Sequence, residues 1–202
     1  MIIPFETLSL FFATALVLAL APGPDNIFVL TQSALHGRVA GLFVTLGLCT
    51  GLVLHTAAIA LGITAIFGTS AQAFAALKMV GLGYLFYLAW SYFLARETAL
   101  DSEALELSKR KLYVRGVIMN VSNPKVAIFF LAFLPQFTYP AMGSLGLQIL
   151  ALGAIFILVT FLIFGSGAWF AGYVGKILRQ SKNIQIAVHR IACLLYTSPS
   201  PR

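Results

Sequence analysis

Two long stretches without a charged residue constrain the fold of this chain more than any other feature. Residues 39–77 and 126–175 contain no Asp, Glu, Lys or Arg. Over the whole chain 60% of residues are hydrophobic and 9% are charged, whereas soluble domains carry about 25% charged residues. In hydrocarbon a helix satisfies its own backbone hydrogen bonds. The composition therefore predicts an all-α membrane protein in a polytopic helical bundle.

A spanning helix needs about 20 mostly apolar residues, and this length divides the chain into five clear spans and the start of a sixth. The predicted spans cover residues 7–35, 39–67, 71–94, 116–134 and 147–175, with the sixth beginning near residue 191. The serines and prolines of residues 196–202 cannot build a span, and we expect them to be a non-native tail on a truncated sixth helix. Residues 1–195 are then one transmembrane domain.

The basic residues predict the orientation of these spans. Arg38, the segment 96–115 and the segment 176–190 carry Lys or Arg, whereas the connections at 67–70 and 136–146 carry none. Cytoplasmic loops are the positively charged ones, so the N-terminus is predicted to lie outside. The net charge of +7 is then explained by loops, and no nucleic acid partner is expected.

A charged cytoplasmic linker at residues 96–111 separates two halves, about 1–95 and 112–195. Because each half would hold three spans, an odd number, the second half enters the membrane from the opposite side. This arithmetic predicts a 3+3 inverted repeat, an arrangement common among secondary transporters.

Each half contains a proline-rich break beside polar and ionisable residues. The first is Pro22-Gly23-Pro24-Asp25-Asn26. Prolines cannot continue a helix, and broken helices at membrane depth line cavities or are buried in protein. Exposed helix ends suit the carboxylate and ammonium of an amino acid. An alternative is a surface loop in which Asp25 is a solvated helix N-cap.

The second break contains Asn120, Asn123, Pro124 and Lys125. Lys125 is expected to supply positive charge near the pathway, against Asp25 or a substrate carboxylate, or else to extend to the membrane interface. Lys78, inside span three, has the same two interpretations. These residues, with those of the first break, form the predicted substrate site, and no catalytic, metal or cofactor motif is present.

Other polar and small residues of the spans have structural interpretations. His55 in span two is interpreted as a hydrogen-bonded structural residue, with proton relay as the alternative. Gly47 and Gly51 have the spacing of small residues that let two helices approach closely.

The chain resembles the LysE/RhtB family of amino-acid exporters. The resemblance covers residues 1 to about 195 and depends on three motifs in order: APGPDN at 21–26, the stretch from Lys78 through Gly81 to Leu85, and NPKVAIFFLAFLPQF at 123–137. It implies six helices in an inverted repeat, in the inner membrane of a bacterium. It also implies proton-driven efflux of lysine, arginine, threonine, homoserine, leucine or related metabolites, with this chain nearest the threonine/homoserine branch.

The resulting prediction is a secondary transporter that exports small amino acids and uses protons as the coupling ion. An exporter of a cation or another metabolite is one alternative, and a membrane-embedded enzyme is a more distant one. The glycine-rich helix faces could also pack against a second copy of the chain, so a homodimer is possible.

Overall fold

Prolines divide the polypeptide into helices of very different length. The computed structural model describes residues 3–67 and 108–180, except for the side chains of residues 63–67. The described part contains six α-helices: α1 Phe5–Leu20, α2 Pro24–His36, α3 Arg38–Phe67, α4 Lys109–Val121, α5 Pro124–Ile128 and α6 Leu145–Gln180. Three shorter elements precede α6: a π-helical turn Phe129–Phe133 and the 3₁₀ turns Leu134–Phe137 and Pro140–Met142. No strand occurs in these residues.

The described helices supply up to four membrane spans by length and composition. Arg38–Gly62 of α3 and the whole of α6 are each long and apolar enough to cross a bilayer. The pair α1 and α2 passes the same test with a bend of 59°, and α4 followed by residues 124–137 does so with a bend of 50°. They correspond to predicted spans one, two, four and five, so the prediction of an all-α membrane protein with several spans is confirmed. Predicted spans three and six lie outside the described residues, and the inverted repeat stays a prediction.

Proline ends one helix and begins the next at both bends. Ala21 is the C-cap of α1, Gly23 is the extended N-cap of α2, and Pro24 is the first residue of α2. Asn123 and Pro124 hold the equivalent places at the start of α5. A helix cannot run through such a position but starts well there, because proline lacks the N–H and keeps the preceding residue extended. Both predicted breaks are present.

Two helices extend into segments that the charge pattern assigned to loops. α4 begins at Lys109, inside the predicted linker, where the side chain of Ser108 accepts a hydrogen bond from the Lys111 N–H. α6 continues through Lys176 to Gln180, inside the second basic segment. Its 36 residues measure about 54 Å at 1.5 Å per residue, against a hydrocarbon core of about 30 Å. Charge marks the membrane surface, and a helix can continue past it.

α3 lies at the centre of the described bundle, in contact with α2, α4 and α6. On one side, phenyl rings from three elements pack together: Phe11 of α1, Phe129 of the π-helical turn, and Phe156 of α6. Phe129 stacks on Phe156 with ring centroids 4.8 Å apart, and Phe11 lies 5.9 Å from Phe129. On the other side α2, α3 and α6 share a second core that includes Val29 and Val44. These two cores hold the bent helices on the same central partner.

Close packing of α3 on α4 depends on glycine. A Cβ at Gly47 would collide with the backbone carbonyl of Tyr113, and a Cβ at Gly116 would lie 2.5 Å from the carbonyl oxygen of Val44. A Cβ at Gly51 would lie 2.6 Å from Oδ1 of Asn120. The predicted role of Gly47 and Gly51 in close helix contact is confirmed, and it brings α4 against α3 beside the second break.

The two ends of the bundle differ in charge. At one end the hydroxyl of Thr7 lies 2.9 Å from that of Tyr139, beside the connection that lacks Lys and Arg. At the other end Arg179 donates to the carbonyl oxygen of Ala34 at 2.6 Å, and Arg38 begins α3. A cation–π contact also places the basic start of α4 beside α3. Basic residues from distant parts of the sequence therefore gather at one end.

We predict that Gly47→Ala destabilises the protein by about 1–3 kcal/mol, because the added methyl meets a helix backbone that cannot yield locally. The matched control is Gly62→Ala, since a Cβ at Gly62 meets no atom of the described residues within 4 Å. That control should gain up to about 1 kcal/mol from helix propensity. Unfolding temperatures of the purified proteins in detergent measure both changes, and equal shifts of the same sign would contradict the packing argument.

Candidate functional site

The two helix breaks meet in the centre of the described bundle. The ammonium of Lys125, at the start of α5, donates a hydrogen bond to the carbonyl oxygen of Ala21 at 2.7 Å. Asn120, at the end of α4, donates from Nδ2 to Oδ2 of Asp25 at 3.3 Å. Residues about 100 positions apart in sequence therefore form one polar cluster between the ends of four helix segments.

Asn26 satisfies backbone groups that the first break exposes. Its Nδ2 lies 3.0 Å from the carbonyl oxygen of Ala19 and 3.3 Å from that of Ala21. Both carbonyls belong to the C-terminal end of α1, where no following helical N–H is available. Lys125 also donates to the carbonyl oxygen of Ala21, so two side chains stabilise this helix end.

Asn123 satisfies an exposed backbone group at the second break. Its Oδ1 accepts a hydrogen bond from the backbone N–H of Lys125 at 3.0 Å, which caps α5. The Lys125 side chain extends back toward Gly23, where a Cβ would lie 3.6 Å from the ammonium nitrogen. Pro124 fixes the start of the helix, as Pro22 and Pro24 do at the first break, so the prolines shape the site through the backbone.

Asp25 is buried, with 5% of its surface exposed. It lies in the first turn of α2, where its charge faces the favourable end of the helix dipole. The N-cap is Gly23, so Asp25 is not the capping residue. The alternative in which Asp25 is a solvated N-cap in a surface loop is therefore wrong. Oδ2 accepts a hydrogen bond from Asn120, while Oδ1 has no hydrogen-bond partner among the described residues.

A cavity of about 20 Å³ lies between the breaks, which is room for roughly one water molecule. Its polar wall is formed by Asp25, Asn26, Asn120, Asn123, Lys125 and Thr160, with Gly23 at its edge. Its apolar wall includes Leu52 of α3 and Phe156 of α6. Six of the ten predicted site residues line this cavity; the three prolines flank it, and Lys78 lies outside the described residues.

Thr160 is the polar residue of the cavity that the sequence analysis missed. It lies in the charge-free run of α6 with 4% of its surface exposed, and in the part of the chain that the structure describes its Oγ1 has no hydrogen-bond partner. Threonines in apolar helices ordinarily bond back to their own helix, as Thr45 and Thr56 do here. Position alone cannot separate these three threonines, because the sequence does not specify which face of a spanning helix meets the breaks.

His55 lies beside the cluster. Its Nε2 is 3.4 Å from the backbone carbonyl oxygen of Asn120, and its ring lies 5.5 Å from that of Phe130. This geometry matches the structural interpretation of His55, since the ring supports the end of α4 without lining the cavity.

Residues 16–197 match the family model of the LysE type translocator. The chain is 30% identical over 182 residues to a homoserine/homoserine lactone efflux protein of Salmonella typhimurium, covering 90% of this chain and 88% of that protein. It is 23% identical over 192 residues to a leucine efflux protein of Enterobacter sp. strain 638, covering 93% and 90%. An uncharacterized membrane protein of Pseudomonas aeruginosa is 32% identical over 166 residues, covering 75% and 76%. No solved structure matches.

The chain is thus a membrane protein of the LysE type translocator family. The predicted family is confirmed, and membership supports a transport function over an enzymatic one.

Opposite charges on one cavity wall predict a thermodynamic coupling between Asp25 and Lys125. Each single change, Asp25→Asn or Lys125→Met, leaves the other charge uncompensated in an apolar surrounding. The double variant removes both, so its loss of stability should be smaller than the sum of the two by about 0.5–3 kcal/mol.

Unfolding temperatures of the four proteins in detergent test this coupling. Lys111→Met is the control for removing a lysine charge, because Lys111 is exposed on the first turn of α4. Additive losses, with no recovery in the double variant, would show that the two charges do not interact.

Proposed function

We propose that this protein exports small amino acids from the cytoplasm as a secondary transporter. The observation that supports this most is the cavity between the two helix breaks, which carries a buried carboxylate and an ammonium, Asp25 and Lys125. These charges complement the ammonium and carboxylate of a zwitterion. Two relatives that this chain matches over most of its length are named efflux proteins for homoserine or homoserine lactone and for leucine.

The substrate site we propose consists of the residues of both breaks. Asp25, Asn26, Asn120, Asn123 and Lys125 provide polar contacts. Gly23 gives backbone access, while Pro22, Pro24 and Pro124 keep the helix ends open. Lys78 belongs to this proposal by its sequence motif alone.

The size of the cavity implies movement during transport. A volume of about 20 Å³ holds about one water, so an amino acid enters only when the walls separate. The natural seam is the contact between the two breaks, where few side-chain hydrogen bonds join them. Rocking of one half against the other would open that seam alternately to each side.

Proton coupling is the finer part of the proposal. Among the described residues that line the cavity, Asp25 is the acidic one, and a carboxylate buried in a membrane protein is costly unless it has a function. If Asp25 takes up a proton as the substrate leaves, one group binds substrate and coupling ion in turn. Energy stored in the proton gradient would then drive export.

We expect Asp25→Asn to abolish amino-acid export while membrane insertion is retained. The amide keeps the shape but carries no charge and takes up no proton, so both substrate attraction and coupling fail. Cells loaded with dipeptides export the released amino acids, and their appearance in the medium gives the rate. Glu6→Gln is the matched control, because Glu6 is exposed in the first turn of α1 and should export normally.

Two results would contradict the proposal at different levels. Normal export by Asp25→Asn would remove Asp25 from the mechanism but leave the transporter function intact. The second result is that the wild type, although present in the membrane fraction, exports no amino acid faster than cells without it. This result would contradict amino-acid export and indicate a different cargo.

We also propose that the basic end of the bundle faces the cytoplasm and that the N-terminus lies outside, in the inner membrane of a bacterium. The support is the positive-inside rule together with the gathering of basic residues at one end. The end with Thr7 and Tyr139 would then face outward.

Cysteine labelling tests this orientation. In a background without Cys49 and Cys193, Lys111→Cys and Met142→Cys place single thiols on exposed residues of opposite ends. An impermeant maleimide should label Met142→Cys in intact spheroplasts and Lys111→Cys only after permeabilisation. The reverse labelling pattern would contradict the proposed orientation and place the N-terminus in the cytoplasm.

A further inference from the structure

Three buried oxygen atoms without a hydrogen-bond partner belong to side chains on the wall of the central cavity. They are Oδ1 of Asp25, Oδ1 of Asn120 and Oγ1 of Thr160, on residues that are 5%, 2% and 4% exposed. They come from three helices, α2, α4 and α6. In the described part of the chain, four buried side-chain atoms lack a partner, and these are three of them.

Such atoms call for an explanation. A buried polar group left unpaired loses its hydration without compensation, and native structures hold only a few such groups per hundred residues. Buried threonines elsewhere in this protein avoid the cost: Thr45 and Thr56 donate to carbonyls of their own helix at 2.9 and 2.7 Å. Thr160 could do the same in a helix, so its unpaired hydroxyl indicates a partner in the cavity.

The chemistry of the three oxygens specifies that partner. A carboxylate oxygen and an amide oxygen accept hydrogen bonds and cannot donate them, and a hydroxyl can also accept. A positively charged group with several N–H donors matches the acceptors on Asp25 and Thr160 and the negative charge of Asp25. Asn120, whose Oδ1 packs against Gly51, holds the Asp25 carboxylate in place through its Nδ2. A carboxylate is excluded from this part of the cavity by repulsion, and it is attracted instead to Lys125.

We infer that Asp25, Asn120 and Thr160 form a subsite for the primary ammonium of the substrate, and that Thr160 contributes to selectivity for it. The inference rests on the proposed function and gives the substrate a direction: ammonium toward α6, carboxylate toward the start of α5. N-acylated amino acids and carboxylic acids without the amine are then poor substrates, because they leave Asp25 and Thr160 unpaired.

The experiment uses the full chain in proteoliposomes, with uptake of radiolabelled homoserine or leucine measured in counterflow. The unlabelled amino acid and its N-acetyl derivative serve as competitors. In the wild type, the free amino acid should inhibit uptake at a concentration roughly tenfold or more lower than its N-acetyl derivative. This ratio is the equivalent of one hydrogen bond to a charged group. Thr160→Val should lower the ratio of the two inhibitory concentrations several-fold, and Thr160→Ser should return it to the wild-type value.

Thr56→Val is the matched control, since Thr56 is a buried helical threonine whose hydroxyl bonds to Leu52 and does not line the cavity. It should leave the competition ratio unchanged. Thr160→Val should also be at least as heat-stable as the wild type, because it removes an unpaired polar atom. A merely structural Thr160 would change the unfolding temperature without changing the ratio.

The possible failures are distinguishable. If the wild type carries amino acids but accepts the N-acetyl derivative equally well, the ammonium subsite is wrong while the proposed function stands. If Thr160→Val keeps the wild-type ratio, Thr160 has no part in selectivity and the inferred subsite is wrong at this residue. If the wild type transports no amino acid, both the proposed function and this inference are overturned.

Discussion

The contact between the two helix breaks is the interaction on which the rest of the described structure depends. A helix that stops inside an apolar bundle leaves carbonyl and N–H groups that its own turns cannot satisfy. Side chains satisfy these groups instead, since Asn26 and Lys125 bind the carbonyls at the end of α1, and Asn123 caps α5. Because Lys125 belongs to the other half of the chain, the end of α1 is fully stabilised only when the two breaks are together.

Close helix packing makes this contact possible. Glycines such as Gly47 and Gly51 let α4 lie directly on α3, so that Asn120 reaches Asp25 on α2. The long α6 then closes the cavity with Phe156 and Thr160. The same arrangement leaves the seam between the breaks with few bonds, which suits a site that opens and closes during transport.

Particular residues show how far prediction from the sequence extends. The bends at Pro24 and Pro124 were predictable because a proline acts on its own backbone and its neighbour's. The end of α6 was not, since Lys176 marks a membrane surface without stopping a helix. Thr160 was missed for a related reason: an apolar run reveals that a helix spans the membrane, but not which of its faces meets a cavity.

The sequence by itself determined the membrane character, the approximate positions of the four described spans and of both breaks, and the family, because hydropathy, proline geometry and short motifs are local properties. The tertiary structure decided which polar groups meet. Asn120 and Asp25 are 95 residues apart, and Lys125 and Ala21 are 104 apart, so only the packing of the helices around α3 brings these groups within hydrogen-bond distance. The ammonium subsite we infer follows from that packing, since it is built from three helices that no local pattern relates.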